Sequence, residues 1–103
     1  MTGFLYNITI AIDRQCEAEW RTWMTHEQIP FMQQTGLFTE TRFFRVVSDD
    51  DPGTSSYCVQ LMVDRIEKLN TYLAGPSKTF MAALQGRYAD RHAAFMTLLE
   101  SAG

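Results

Sequence analysis

Two histidines, His26 and His92, carry the side chains whose ordinary titration falls nearest neutrality, so each is a general-base candidate. They stand far apart in sequence with no His-Glu-x-x-His spacing, and the chain shows no phosphate loop and no dinucleotide glycine pattern. No metal and no cofactor is therefore expected. Cys58 would be a nucleophile only with a base beside it; among Tyr57 and Val59 it reads as a small buried hydrophobe. Asn7 can donate to a developing oxyanion, or it can share a hydrogen-bonded polar layer with Gln60. One of Arg42 and Arg45 can hold a carboxylate ligand, and either can pair with Asp49 to Asp51. Those aspartates lack the spaced ligands of a calcium loop and read as a solvated turn. Trp20 and Trp23 share one helix face, which suits core packing. A ligand pocket, if present, would take an apolar molecule and be lined by Trp23, His26, Tyr57, Trp20 and Tyr72.

These residues need elements to position them. Gly3 to Ile12 alternates Phe4, Tyr6, Ile8, Ile10 and Ile12 with Leu5, Asn7, Thr9 and Ala11, which predicts a strand. Asp13 is placed to cap a helix carrying Trp20, Trp23, Met24 and Phe31. Pro30 predicts a kink near Gln28 or Ile29, and Thr35-Gly36 the end of the helix. Leu37 to Val47 and Tyr57 to Val63 read as two further strands around a turn with Pro52-Gly53. Asp64 is placed to cap a second helix, interrupted at Gly75-Pro76 and ending at Gly86. Arg91 to Glu100 is the last strand.

The order β-α-β-β-α-β is an α+β, ferredoxin-like unit: one antiparallel sheet of four strands with two helices on one face, spanning residues 1–103 as a single domain. Two helices cover one sheet face only. The other face carries Leu5, Asn7, Thr9, Cys58, Gln60 and Met62, none of them charged, where a solvated face would show Lys, Glu or Arg. That face is expected to pack on its twofold copy in a homodimer.

Composition narrows the rest. The chain has 103 residues, 46% hydrophobic and 20% charged, with a formal net charge of -3. Nine Lys and Arg are scattered without a run, so a nucleic-acid footprint is not expected. No apolar run approaches the ~18 residues of a membrane span. The first residues lack a basic region and a small-residue cleavage site, so a cytoplasmic protein with Cys16 and Cys58 as free thiols is expected.

The chain also resembles a family of small bacterial proteins classed as a domain of unknown function and related to the dimeric α/β-barrel superfamily. The likeness rests on Trp20-x-x-Trp23-Met24, Ile29-Pro30, Thr35-Gly36-Leu37-Phe38, Tyr57-Cys58-Val59-Gln60 and the tail Phe95 to Glu100. It implies the ferredoxin-like fold and a dimer through facing sheets, and no activity. Members of that family often place a histidine directly before the Ile-Pro pair, where this chain has Gln28. Two readings stand: a non-catalytic homodimer that binds a small apolar ligand or a partner, and a cofactor-independent monooxygenase or isomerase-like enzyme of the kind the superfamily contains.

Overall fold

The computed structural model describes residues 3–48 and 51–103. The Asp49 and Asp50 part of the acidic turn, with any pairing of Arg42 or Arg45 to it, lies outside the described residues. Strand β1 spans Phe4–Asp13, β2 Glu40–Arg45, β3 Thr54–Val63 and β4 His92–Glu100. Between β1 and β2 come α1 (Glu17–Trp23), a π-helical turn (Met24–Gln28) and α2 (Ile29–Gln34). Between β3 and β4 come α3 (Ile66–Ala74), α4 (Pro76–Tyr88) and a 3-10 turn (Ala89–Arg91). The sheet order is β2-β3-β1-β4 with every neighbouring pair antiparallel, the ferredoxin-like arrangement expected.

The first helical arm is broken where Pro30 demands it. Proline offers no amide donor to the turn before it. The chain widens by one residue there, and the Ile29 N–H donates to the Met24 carbonyl five residues back. Gly36 ends the arm at φ 71°, a left-handed turn that side chains resist. Gly75, at φ −132° and ψ −82°, divides the second arm, with Pro76 at the first turn of α4.

Several boundaries differ from expectation. Asp13 does not cap α1. Its Oδ1 accepts the Gln15 N–H at 2.8 Å, closing a local turn, and the helix starts four residues later with Cys16 at its cap. Asp64 likewise leaves the cap to Arg65 and pairs with Lys68 Nζ at 3.0 Å. Gly86 does not end α4, because burial of Leu84 and Tyr88 draws the helix on to Tyr88. Strand β2 is shorter than expected, starting at Glu40, and β3 longer, starting at Thr54.

The core lies between the helical arms and one face of β1 and β3. Tyr6, Ile8, Ile10 and Ile12 meet Leu61, Val59, Tyr57 and Ser55 across the pair, and all are buried. Each fully buried large apolar side chain contributes about 1.5–3 kcal/mol against exposure. The arms lie chiefly over β1, β2 and β3. On β4 the helix-side residues Met96 and Leu98 are left 43% and 50% exposed, although their β1 partners Ile8 and Tyr6 are buried.

Two polar atoms in this core have no hydrogen-bond partner among the described residues: Trp20 Nε1 and the Tyr72 hydroxyl. Burial, with Tyr6 nearby, pushes the Tyr72 phenol well above its ordinary value. A buried hydroxyl without a partner costs about 1–3 kcal/mol of desolvation. Tyr72→Phe keeps the ring against Phe38 and Tyr6 and removes that cost. Thermal denaturation is therefore expected to show a variant at least as stable as the parent, by up to about 1–3 kcal/mol. A loss of more than about 1 kcal/mol would mean the hydroxyl has a partner.

Candidate functional site

The aromatic residues named for a pocket pack on one another. Trp20 and Tyr57 meet with ring centroids 4.9 Å apart, and both touch Phe43. Trp23 stacks on Phe80 at 6.3 Å and meets Tyr88 at 5.6 Å, with the Arg87 guanidinium 5.1 Å from its ring. Tyr72 packs on Phe38 at 4.9 Å. Trp20, Trp23, Tyr57 and Tyr72 are all buried, whereas His26 is exposed on the π-helical turn and does not join them. Beside the kink at Pro30 Met32 is fully buried, while Phe31 turns outward at 37% exposure.

A polar cluster that local sequence reasoning missed sits beside them. Glu17 opens α1, and Ser55 and Tyr57 lie on the helix side of β3. The Tyr57 hydroxyl donates to Glu17 Oε2 at 2.6 Å, the Ser55 hydroxyl donates to Oε1 at 2.9 Å, and Arg45 Nε stands 3.8 Å away. The Tyr57 hydrogen bond, helped by Ser55 and Arg45, holds the Glu17 carboxyl below its ordinary value. Burial, then the bond to Glu17, pushes the Tyr57 phenol up. The available signal was Ser55-x-Tyr57 on one strand face opposite an acidic first helical turn.

The uncovered sheet face holds the second set of named residues. Leu5, Asn7 and Thr9 of β1 lie opposite Met62, Gln60 and Cys58 of β3. Asn7 Nδ2 donates to Thr9 Oγ1 at 3.0 Å, and Thr9 Oγ1 lies 3.7 Å from Cys58 Sγ, so Asn7 bonds along its strand and not to Gln60. Phe95 and Leu99 extend the face on β4, and Phe44 on β2, where Glu40 and Arg42 pair at 2.8 Å. Arg42 and Arg45 project to opposite faces. Cys58 is half-buried on this face, and both cysteines are free.

A cavity opens at each end of β1. One, of about 270 Å³, is lined mainly by Phe4, Leu5, Met62, Leu99 and Glu100. The other, of about 280 Å³, is lined by Ala11, Asp13, Thr54, Arg91, His92 and Ala93. At the latter, Arg91 Nε donates to Asp13 Oδ2 at 2.8 Å and holds that carboxyl below its ordinary value. His92 Nδ1 lies 2.9 Å from the Tyr88 carbonyl. A carbonyl can only accept, so Nδ1 carries a proton and donates to it. Neither cavity is lined by Trp20, Trp23, His26, Tyr57 or Tyr72. Among the described residues no three His, Cys, Asp or Glu side chains are grouped to hold a metal, and no helix is long and apolar enough to cross a membrane.

Glu17 makes a pH prediction. A depressed carboxyl contributes stability that is present above its unfolded value of ~4.3 and lost as pH falls through the lower folded value. Melting temperatures between pH 7 and pH 3 are expected to fall less steeply for Glu17→Gln than for the parent. Tyr57→Phe is expected to cost about 1.5–3 kcal/mol at neutral pH, because it removes a hydrogen bond to a charged group. Identical acid profiles for parent and Glu17→Gln would refute the assignment.

The fold has relatives among solved structures. An ethyl tert-butyl ether d (EthD) family protein from Bacillus halodurans C-125 superposes with a TM-score of 0.65 at 11% identity, covering 100% of this chain and 99% of that one. A dimeric ferredoxin-like protein from an uncultured marine organism superposes with a TM-score of 0.59 at 7% identity, covering 100% and 98%. At such identities the likeness is one of fold. No curated protein matches the sequence significantly. The model of the family described as Domain of unknown function (DUF4286) matches residues 3–102, so this chain belongs to that family.

Proposed function

We propose that this protein works as a homodimer, packing its uncovered sheet face on that of a second copy and holding a small apolar molecule at the end of the joint. The carrying observation is the sheet face itself. Its two central strands present Leu5, Asn7, Thr9, Cys58, Gln60 and Met62, half-buried and uncharged, and β4 adds Phe95 and Leu99 at 62% and 47% exposure. Across these residues, with Thr97 between the last two, water meets an uncharged surface, apolar but for Asn7, Thr9, Gln60 and Thr97, of a kind that monomers seldom leave open. A twofold contact through this face would bury the same residues on both copies. The dimeric description of one structure of the same fold points the same way. The slot lined by Phe4, Leu5, Met62 and Leu99 adjoins the face, and its walls suit a short alkyl or aromatic group. The ligand is assigned to this slot because the aromatic residues under the helices pack on one another. Free thiols at Cys16 and Cys58 suit the reducing cytoplasm.

Gln60→Lys tests the dimer. The new ammonium would lie unpaired in a desolvated contact at a cost of several kcal/mol, weakening association about 100-fold or more. Sedimentation is expected to show the assembly mass halved in the variant. A monomeric parent at micromolar concentration would overturn the reading. For the ligand, calorimetric titration with hexanol is expected to give saturable heat with the parent and none with Leu99→Trp, which fills the slot. Absence of heat in both would remove the ligand and leave the dimer.

A further inference from the structure

Strand β4 is left uncovered on three sides. Among the described residues no strand lies beside its outer edge. Phe95 and Leu99 are exposed on the open face, and Met96 and Leu98 on the helix side, at 43% and 50%. From Ala93 to Leu99 the strand carries neither charge nor proline, whereas the opposite edge, β2, is guarded by Glu40, Arg42 and Arg45. Long, flat, uncharged edges are templates for strand addition, and charge is the usual protection. Face-to-face packing would cover Phe95 and Leu99. It would leave Met96, Leu98 and the free amides and carbonyls of the edge in water.

We propose that β4 pairs antiparallel, edge to edge, with β4 of a second copy of this chain, extending the sheet across two copies. A twofold contact requires a surface complementary to itself, and β4 has that property about Met96. In that register Leu98 meets Ala94 of the second copy, Leu99 meets its Ala93, and Glu100 meets its His92. Large side chains face small ones, and a carboxylate faces an imidazole at both ends. The His92 ring is oriented for this, since Nδ1 donates to the Tyr88 carbonyl at 2.9 Å and leaves Nε2, which donates to the carboxylate once it carries a proton. Antiparallel pairing in one sheet keeps both helical layers on the same side. Met96 and Leu98 of the two copies then close the furrow between those layers. This edge is distinct from the open face and does not rest on the reading above. With both contacts formed, the assembly is a tetramer with two kinds of twofold joint.

Two variants test it. Leu98→Lys guards the edge at a position half exposed in the single chain, so folding is not at stake. Its assembly mass by sedimentation is expected to be half that of the parent. In a Cys16→Ser, Cys58→Ser background, Met96→Cys is expected to oxidise to a covalent dimer. Opposed residues of an antiparallel pair lie about 4.5–5.5 Å apart at Cα, within disulfide reach. An unchanged mass for Leu98→Lys overturns the proposal, as does Met96→Cys that stays monomeric on a non-reducing gel. So does a cross-link formed only when Thr41→Cys on β2 is added, because β2 would then be the partner edge. If Gln60→Lys halves the mass and Leu98→Lys does not, the face contact stands and the edge contact falls; the reverse result separates them the other way.

Discussion

The antiparallel pairing of β1 with β3 is the contact on which the rest of the molecule depends. It runs for ten residues, from Phe4 opposite Val63 to Asp13 opposite Thr54. Because side chains alternate across a strand, one register sends Tyr6, Ile8, Ile10 and Ile12 into the core together with Tyr57, Val59, Leu61 and Val63. A slip of one residue would send either Asn7 and Thr9 or Cys58 and Gln60 there instead, burying polar groups among aromatic rings. The same pairing sets the uncharged set on the opposite face, so the core and the exposed surface are two sides of one constraint.

The helical arms answer that constraint incompletely. Each arm is divided, one by the π-helical turn before Pro30 and the other at Gly75-Pro76. Their large residues, Trp20, Trp23, Tyr72, Phe80 and Leu84, reach the central strands. Met32 lies fully buried at the bend. What the arms do not reach is the helix side of β4 beyond Ala94. Fold and assembly are coupled there, since the apolar surface that two arms cannot cover is the surface offered to another chain.

Electrostatics fastens the rim of this structure. At one end Glu17 gathers the Tyr57 and Ser55 hydroxyls and stands near Arg45, tying the start of α1 to β3 and β2. At the end of β1, Asp13 holds Arg91, which also donates to Gln15, tying the entry to α1 to the approach to β4. Both carboxylates are held below their ordinary values by these donors, so both joints weaken when acid protonates them.

The element order, the strand faces of β1 and β3, the bend at Pro30 and the left-handed stop at Gly36 are legible in the residues alone. All of these follow from local rules: an alternation of two, a missing amide donor, a residue without Cβ. Helix starts were less legible, because Asp13 and Asp64 found partners outside the caps they were suited to. Which distant residues meet is set by the packing of the elements. Glu17 lies 38 and 40 positions from the hydroxyls it accepts, and no local pattern encodes that distance. That packing also places β4 at the sheet edge beyond the helical arms. Met96 and Leu98 carry the composition of core residues, and their exposure comes from the sheet order and the width of the layer above it.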